Sequence, residues 1–124
     1  MLNNCKRTYK AEGNGINTVE VTVDYTKGGI NYFYGNEYPR GYYFNISGYQ
    51  VEDHGWYTTK SFTMGSGPKT FSDCILPCER QSKKRYETAK GMMDDLVDRY
   101  LAEWCERNDV TITDYDYEQT ESQR

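Results

Sequence analysis

A chain of 124 residues with a formal net charge of -4 has room for one hydrophobic core and little more. Leu, Ile, Val and Phe together number 19, few enough to raise the question of disorder. The small net charge and the buriable surface of 13 Tyr, 2 Trp and 4 Met answer it in favour of a folded domain with a tyrosine-rich core. No run of 18 apolar residues occurs, so no spanning helix and no membrane partner are expected. The polar stretch Met1–Arg7 lacks the apolar centre of a secretory signal, which leads us to expect a cytoplasmic protein with reduced thiols.

The first half reads as strands. Cys5–Glu12 and Ile16–Tyr25 are joined by Gly13-Asn14-Gly15, and Val19, Val21, Val23 and Tyr25 alternate with Glu20, Thr22 and Asp24. Period-two alternation across a short Gly-rich link predicts an antiparallel hairpin with one buried face. Ile30–Tyr34 is a short aromatic segment beyond the turn signal Lys27-Gly28-Gly29. Tyr42–Ser47 predicts a third strand with Tyr42, Phe44 and Ile46 on one face. Trp56–Met64 predicts a fourth, carrying Trp56, Thr58, Lys60, Phe62 and Met64 on one face. Lys69–Leu76 adds an edge strand before Pro77.

Tyr86, Ala89, Met93, Leu96, Val97, Tyr100, Leu101 and Trp104 recur at helical spacing, on one stripe of a helix about six turns long. Ser82 is the expected N-cap and Asn108 the C-terminal stop. The stripe needs an apolar cover, and the sheet face supplies it. The fold class is therefore α+β, an antiparallel sheet of about four to five strands packed against one long C-terminal helix. Residues 1–113 are expected to form this single domain, with Val110–Thr113 a last strand and 114–124 an acidic, flexible tail.

Catalytic and metal chemistry find little support. Cys74 and Cys78 form one close pair, whereas a four-thiolate zinc site usually shows two, so buried free thiols are expected and no metal or cofactor. His54, the single histidine, sits in the Glu52-Asp53-His54-Gly55 turn with no partner that spacing identifies. No catalytic residue is assigned and an enzyme is not expected.

Charge patterning is more informative. Residues 1–93 carry a balance of +3 and residues 94–121 one of -8. Asp94, Asp95, Asp98, Glu103 and Glu106 fall mainly off the apolar stripe, and Asp109, Asp114 and Asp116 extend the series. Spaced carboxylates can imitate a phosphate strand and engage Lys and Arg shaped to hold DNA, while the plainer reading is solubility. Arg80, Lys83, Lys84 and Arg85 surround the helix start, where cations oppose the helix dipole unless a phosphate offsets them. With stacking tyrosines such as Tyr32 and Tyr34 they define an alternative, nucleic-acid-binding surface. The plainer readings are a solvated first turn and a clothed core.

The segment from Gly29 to Tyr43, GINYFYGNEYPRGYY, resembles small accessory proteins carried by phages and mobile elements of gut bacteria, and Arg80-Gln81-Ser82-Lys83-Lys84 is similar to a basic stretch at the corresponding place in them. In that setting a compact acidic α+β protein without a catalytic signature resembles the anti-CRISPR proteins. The resemblance implies a bacterial host cytoplasm and a CRISPR effector nuclease of type II as partner, alone or with its guide RNA. DNA binding or cleavage would be blocked by acidic mimicry. The carboxylates named above would be the partner-binding residues.

Overall fold

The computed structural model describes residues 3–31, 35–62 and 70–123. Along them run β1 (Asn3–Gly13), β2 (Ile16–Thr26), β3 (Gly29–Asn31), β4 (Asn36–Tyr38), β5 (Gly41–Asp53), β6 (Thr58–Ser61), β7 (Phe71–Pro77), α1 (Lys83–Gly91), α2 (Met93–Arg107) and β8 (Thr111–Gln123). The main sheet is antiparallel in the order β6-β5-β2-β1-β8, with β7 also paired to β5, and β3 and β4 form a separate two-stranded ribbon. The α+β class stands. The sheet holds six strands where four to five were expected, because β6 and β7 both pair with β5.

The alternation read in β2 holds for its apolar residues, whereas Glu20, expected on the wet face, is also buried and pairs with Lys6 and Lys60. Val19, Val21 and Val23 are fully buried and Tyr25 nearly so. Register sets Cys5 beside Val23, Arg7 beside Val21 and Tyr9 beside Val19 on one side. On the other it sets Phe44 beside Val23 and Ile46 beside Val21. These residues share one face because side chains alternate with period two. The helical stripe lies on that face, with Tyr86, Ala89, Met93, Leu96, Leu101 and Trp104 all buried in the same cluster. Each large side chain so buried contributes about 1.5–3 kcal/mol.

Three expectations need correcting. The single helix is two: the ladder slips at Met92, whose N–H donates to the Ala89 carbonyl at 3.1 Å, one residue short of an α-helical bond. Gly91, exposed and with open space where a Cβ would sit, is the weak point. The caps are as expected, since the Arg85 N–H donates to Ser82 Oγ at 3.1 Å and Asn108 caps α2. Next, residues 114–123, expected to be a flexible tail, belong to β8, because pairing from Asn3–Gln123 to Glu12–Thr111 satisfies their backbone along β1. Finally, the strand expected at Trp56–Met64 is only Thr58–Ser61 within the described residues. Trp56 is 89% exposed in the β5–β6 turn.

At the β1–β2 turn Gly13 adopts φ 126°, and a Cβ there would lie 2.3 Å from the Asp109 carbonyl oxygen. This close approach ties the turn to the end of α2. Gly13→Ala is expected to lower stability by about 2 kcal/mol or more, since strain and clash add. Gly91→Ala should raise it by about 0.5–1 kcal/mol. Urea denaturation of both variants checks the pair, and destabilisation by Gly91→Ala would show that the interruption is required.

Candidate functional site: an acidic groove between helix and sheet edge

On α2, residues four apart form rows, each step rising about 6 Å. The row Asp94, Asp98, Ala102, Glu106 carries three carboxylates, no cation and one small side chain. The neighbouring row Asp95, Arg99, Glu103, Arg107 alternates in sign, and Arg107 Nη2 lies 2.9 Å from Glu103 Oε1. One helix therefore presents a purely acidic edge and a self-compensated one.

The acidic row borders a groove of about 770 Å3 between α2 and the β1–β8 edge of the sheet. Its apolar lining comes from Val97, Leu101, Cys105, Val110, Ile112 and Tyr9, with Tyr115 and Tyr117 on the β8 side. Apolar walls with a few convergent polar groups, at this volume, have the character of a binding site. Both tyrosines owe their place to a bulge. Thr8 pairs with Glu118 and Lys10 with Asp114, so Tyr9 alone faces three residues of β8. The extra residues bend the strand and re-aim its side chains. Within the bulge the Asp116 N–H donates to Asp114 Oδ1 at 2.9 Å. The Tyr117 ring meets Tyr9 at 5.3 Å between centroids, while Tyr115 remains 72% exposed.

Arg7 closes one end of the groove. Alternation in β1 forces it onto the inner face, where it is only 7% exposed. Its Nη2 donates to Asp94 Oδ1 at 2.5 Å and its Nε to Gln119 Oε1 at 3.1 Å, while the guanidinium lies 4.4 Å above the Tyr117 ring. Burial pulls its pKa down, but the hydrogen bond to Asp94 and the surrounding groups reverse this, so the net shift is upward and the cation is kept. Arg7 thereby joins β1, β8 and α2 through one planar group. Burial alone raises the pKa of the Cys105 thiol in the groove wall, so it stays protonated at neutral pH.

Of the proposed partner-binding carboxylates, the structure brings Asp94, Asp98 and Glu106 to the groove. Asp95 and Glu103 share the compensated row. Asp109 takes φ 54° in the turn after α2, and Asp114 and Asp116 occupy the β8 bulge. For the alternative surface, Arg80, Lys83, Lys84 and Arg85 are exposed at the start of α1, and Arg85 Nη1 donates to the Arg80 carbonyl at 2.9 Å. Tyr32 and Tyr34 lie outside the described residues. Among the described residues no group of three His, Cys, Asp or Glu is arranged to hold a metal ion, and no helix is long and apolar enough to cross a membrane. His54 is exposed in the β5–β6 turn, 3.4 Å from Glu52 and stacked on Tyr57 at 4.5 Å.

Sequence reading missed Arg7, Tyr9, Tyr115 and Tyr117. A signal was present for two of them. The β1 alternation that buries Cys5 and Tyr9 buries Arg7 with them, and the buriable positions of the last strand change parity between Ile112 and Tyr117, which is what a bulge produces.

Asp94→Ala is expected to cost about 1 kcal/mol, the low end for a hydrogen bond to a charged group, because the Asp94 side chain is 79% exposed. Asp98→Ala should fall within about 0.5 kcal/mol of the parent. Urea titrations of the two variants distinguish a structural carboxylate from a free one. A second test concerns pH. Glu121 holds Lys90 of α1, and that hydrogen bond depresses its pKa below the ordinary carboxylate value. A depressed pKa stabilises the fold above the unfolded value, near 4.5, and this contribution is lost as pH falls through the folded value. Glu121→Gln should therefore remove part of the acid-side loss of stability, under about 1 kcal/mol for so exposed a pair. Equal acid sensitivity of variant and parent would deny the linkage.

Searched against protein-family models, curated proteins and solved structures, the chain matches none of them.

Proposed function

We propose that this chain is a non-catalytic binding protein whose α2–β8 groove takes a basic, apolar-anchored segment of a partner protein. In the setting of the anti-CRISPR resemblance, the partner is a type II CRISPR effector nuclease, alone or with its guide RNA, and binding blocks its contact with DNA. The observation that carries the binding part of this reading is the pairing of an apolar lining with the cation-free row Asp94, Asp98, Glu106 along one wall. The accessible apolar side chains of the groove, Tyr115 and Tyr117 foremost, supply affinity, and a single-sign rim supplies steering and selects against acidic competitors. The choice of nuclease rests on the resemblance of Gly29–Tyr43 and on the acidic balance of residues 94–121.

The mimicry is narrower than the sequence suggests. Asp94 holds Arg7, and the Asp95–Glu103 row carries its own arginines, so among the described residues Asp98 and Glu106 remain as the carboxylates of the groove wall without an ion pair. They stand eight residues apart on α2, about 12 Å along its axis.

The test uses purified nuclease loaded with guide RNA, reading binding by interferometry and inhibition by DNA cleavage. The parent chain should inhibit stoichiometrically, with an association rate that falls as salt rises. Asp98→Lys with Glu106→Lys should weaken binding at least about 30-fold. Asp95→Lys with Glu103→Lys changes net charge equally and should have a much smaller effect. Equal losses in both pairs would reduce the interaction to overall charge, and no loss in either would remove the groove from it.

A further inference from the structure

β8 is the last strand of the main sheet, and among the described residues it pairs only with β1. Its outer edge therefore presents a row of backbone N–H and C=O groups with no strand beside them. Such an edge adds a further strand unless something prevents it. From Glu118 to Gln123 the pairing with Thr8–Asn3 is regular, so this stretch is straight enough to serve as a template. The bulge at Asp114–Tyr117 marks where the template ends.

The side chains decide what can pair there. Residues 111–123 include Asp114, Asp116, Glu118 and Glu121 and no Lys or Arg. In a fully overlapped antiparallel pairing of β8 with a second copy, Glu118 of each strand faces Asp116 of the other, and like charges directly opposite are destabilising. Glu121 is already joined to Lys90. On the β1 side Lys6 lies 3.9 Å from Glu20, and Lys10 stands opposite Asp114. A fully overlapped copy of the strand is thereby disfavoured, whereas a strand of opposite sign is not.

We propose that the Glu118–Gln123 edge accepts an extended basic segment of a partner protein as an added antiparallel or parallel strand, with a Lys or Arg beside Glu118. Main-chain hydrogen bonds supply the affinity, and the carboxylates supply the selection. This surface is distinct from the groove, and its test requires no nuclease.

The experiment follows amide shifts of the nitrogen-15-labelled full chain on titration with a synthetic peptide of about eight residues alternating lysine with threonine and valine. Saturable shifts at Glu118–Gln123 are expected by about millimolar peptide. A peptide N-methylated along one edge should lose binding while one methylated along the other keeps it. The glutamate-for-lysine analogue should not bind, and Glu118→Gln should weaken binding by several-fold, about 1 kcal/mol. Shifts elsewhere, equal binding of both methylated peptides, or no saturable shift overturns the proposal. So does concentration-dependent dimerisation at neutral pH that is lost when β8 bears Thr120→Pro.

Discussion

One row of helix cannot cover this sheet. A helix with its side chains is about 10–12 Å across, whereas strands repeat at about 4.8 Å, so a single helical layer spans little more than two strands. The sheet is five strands wide in the order β6-β5-β2-β1-β8. The helical stripe settles over the valines of β2 and the aromatic residues of β5, where burial yields most, and β8 is left at the margin. The groove lies at that margin. Tyr9, Val110 and Ile112 beneath it are themselves buried, so its accessible apolar surface comes mainly from Val97, Tyr115 and Tyr117.

Arg7 ties helix to sheet at one end of this opening. A cation on the inner face of a sheet is costly unless it is paired and hydrogen-bonded. Asp94 reaches down from α2, and Gln119 and Tyr117 reach across from β8. The same group that ties helix to sheet withdraws Asp94 from the acidic charge of its row. Along one helical row, Asp94 is tied to the sheet, while Asp98 and Glu106 flank Ala102 on the groove wall.

Much of the scaffold was legible in the residues. Val19–Tyr25 announces a half-buried strand, and the Tyr86–Trp104 stripe announces the helix that covers it, because both depend on local period alone. The helical break at Met92 was hidden because propensity at one glycine competes with packing on both sides. The last strand was hidden more deeply. Asp114–Gln123 is polar apart from Tyr115 and Tyr117, and only its pairing with β1, a contact made across the whole length of the chain, makes it a strand. For the candidate site, sequence identified the acidic residues of α2 but not which row they form with what beneath them. Position 7 depends on a long-range contact with position 94.

We propose that a partner occupies the α2–β8 groove and meets its acidic row. Hydrogen–deuterium exchange of the chain, free and bound to guide-loaded type II effector nuclease, tests it most directly. Added protection is expected to concentrate in residues 94–106 and 111–117. Protection confined to Arg80–Arg85 and the opposite face of the sheet, or no protection at all, would contradict it.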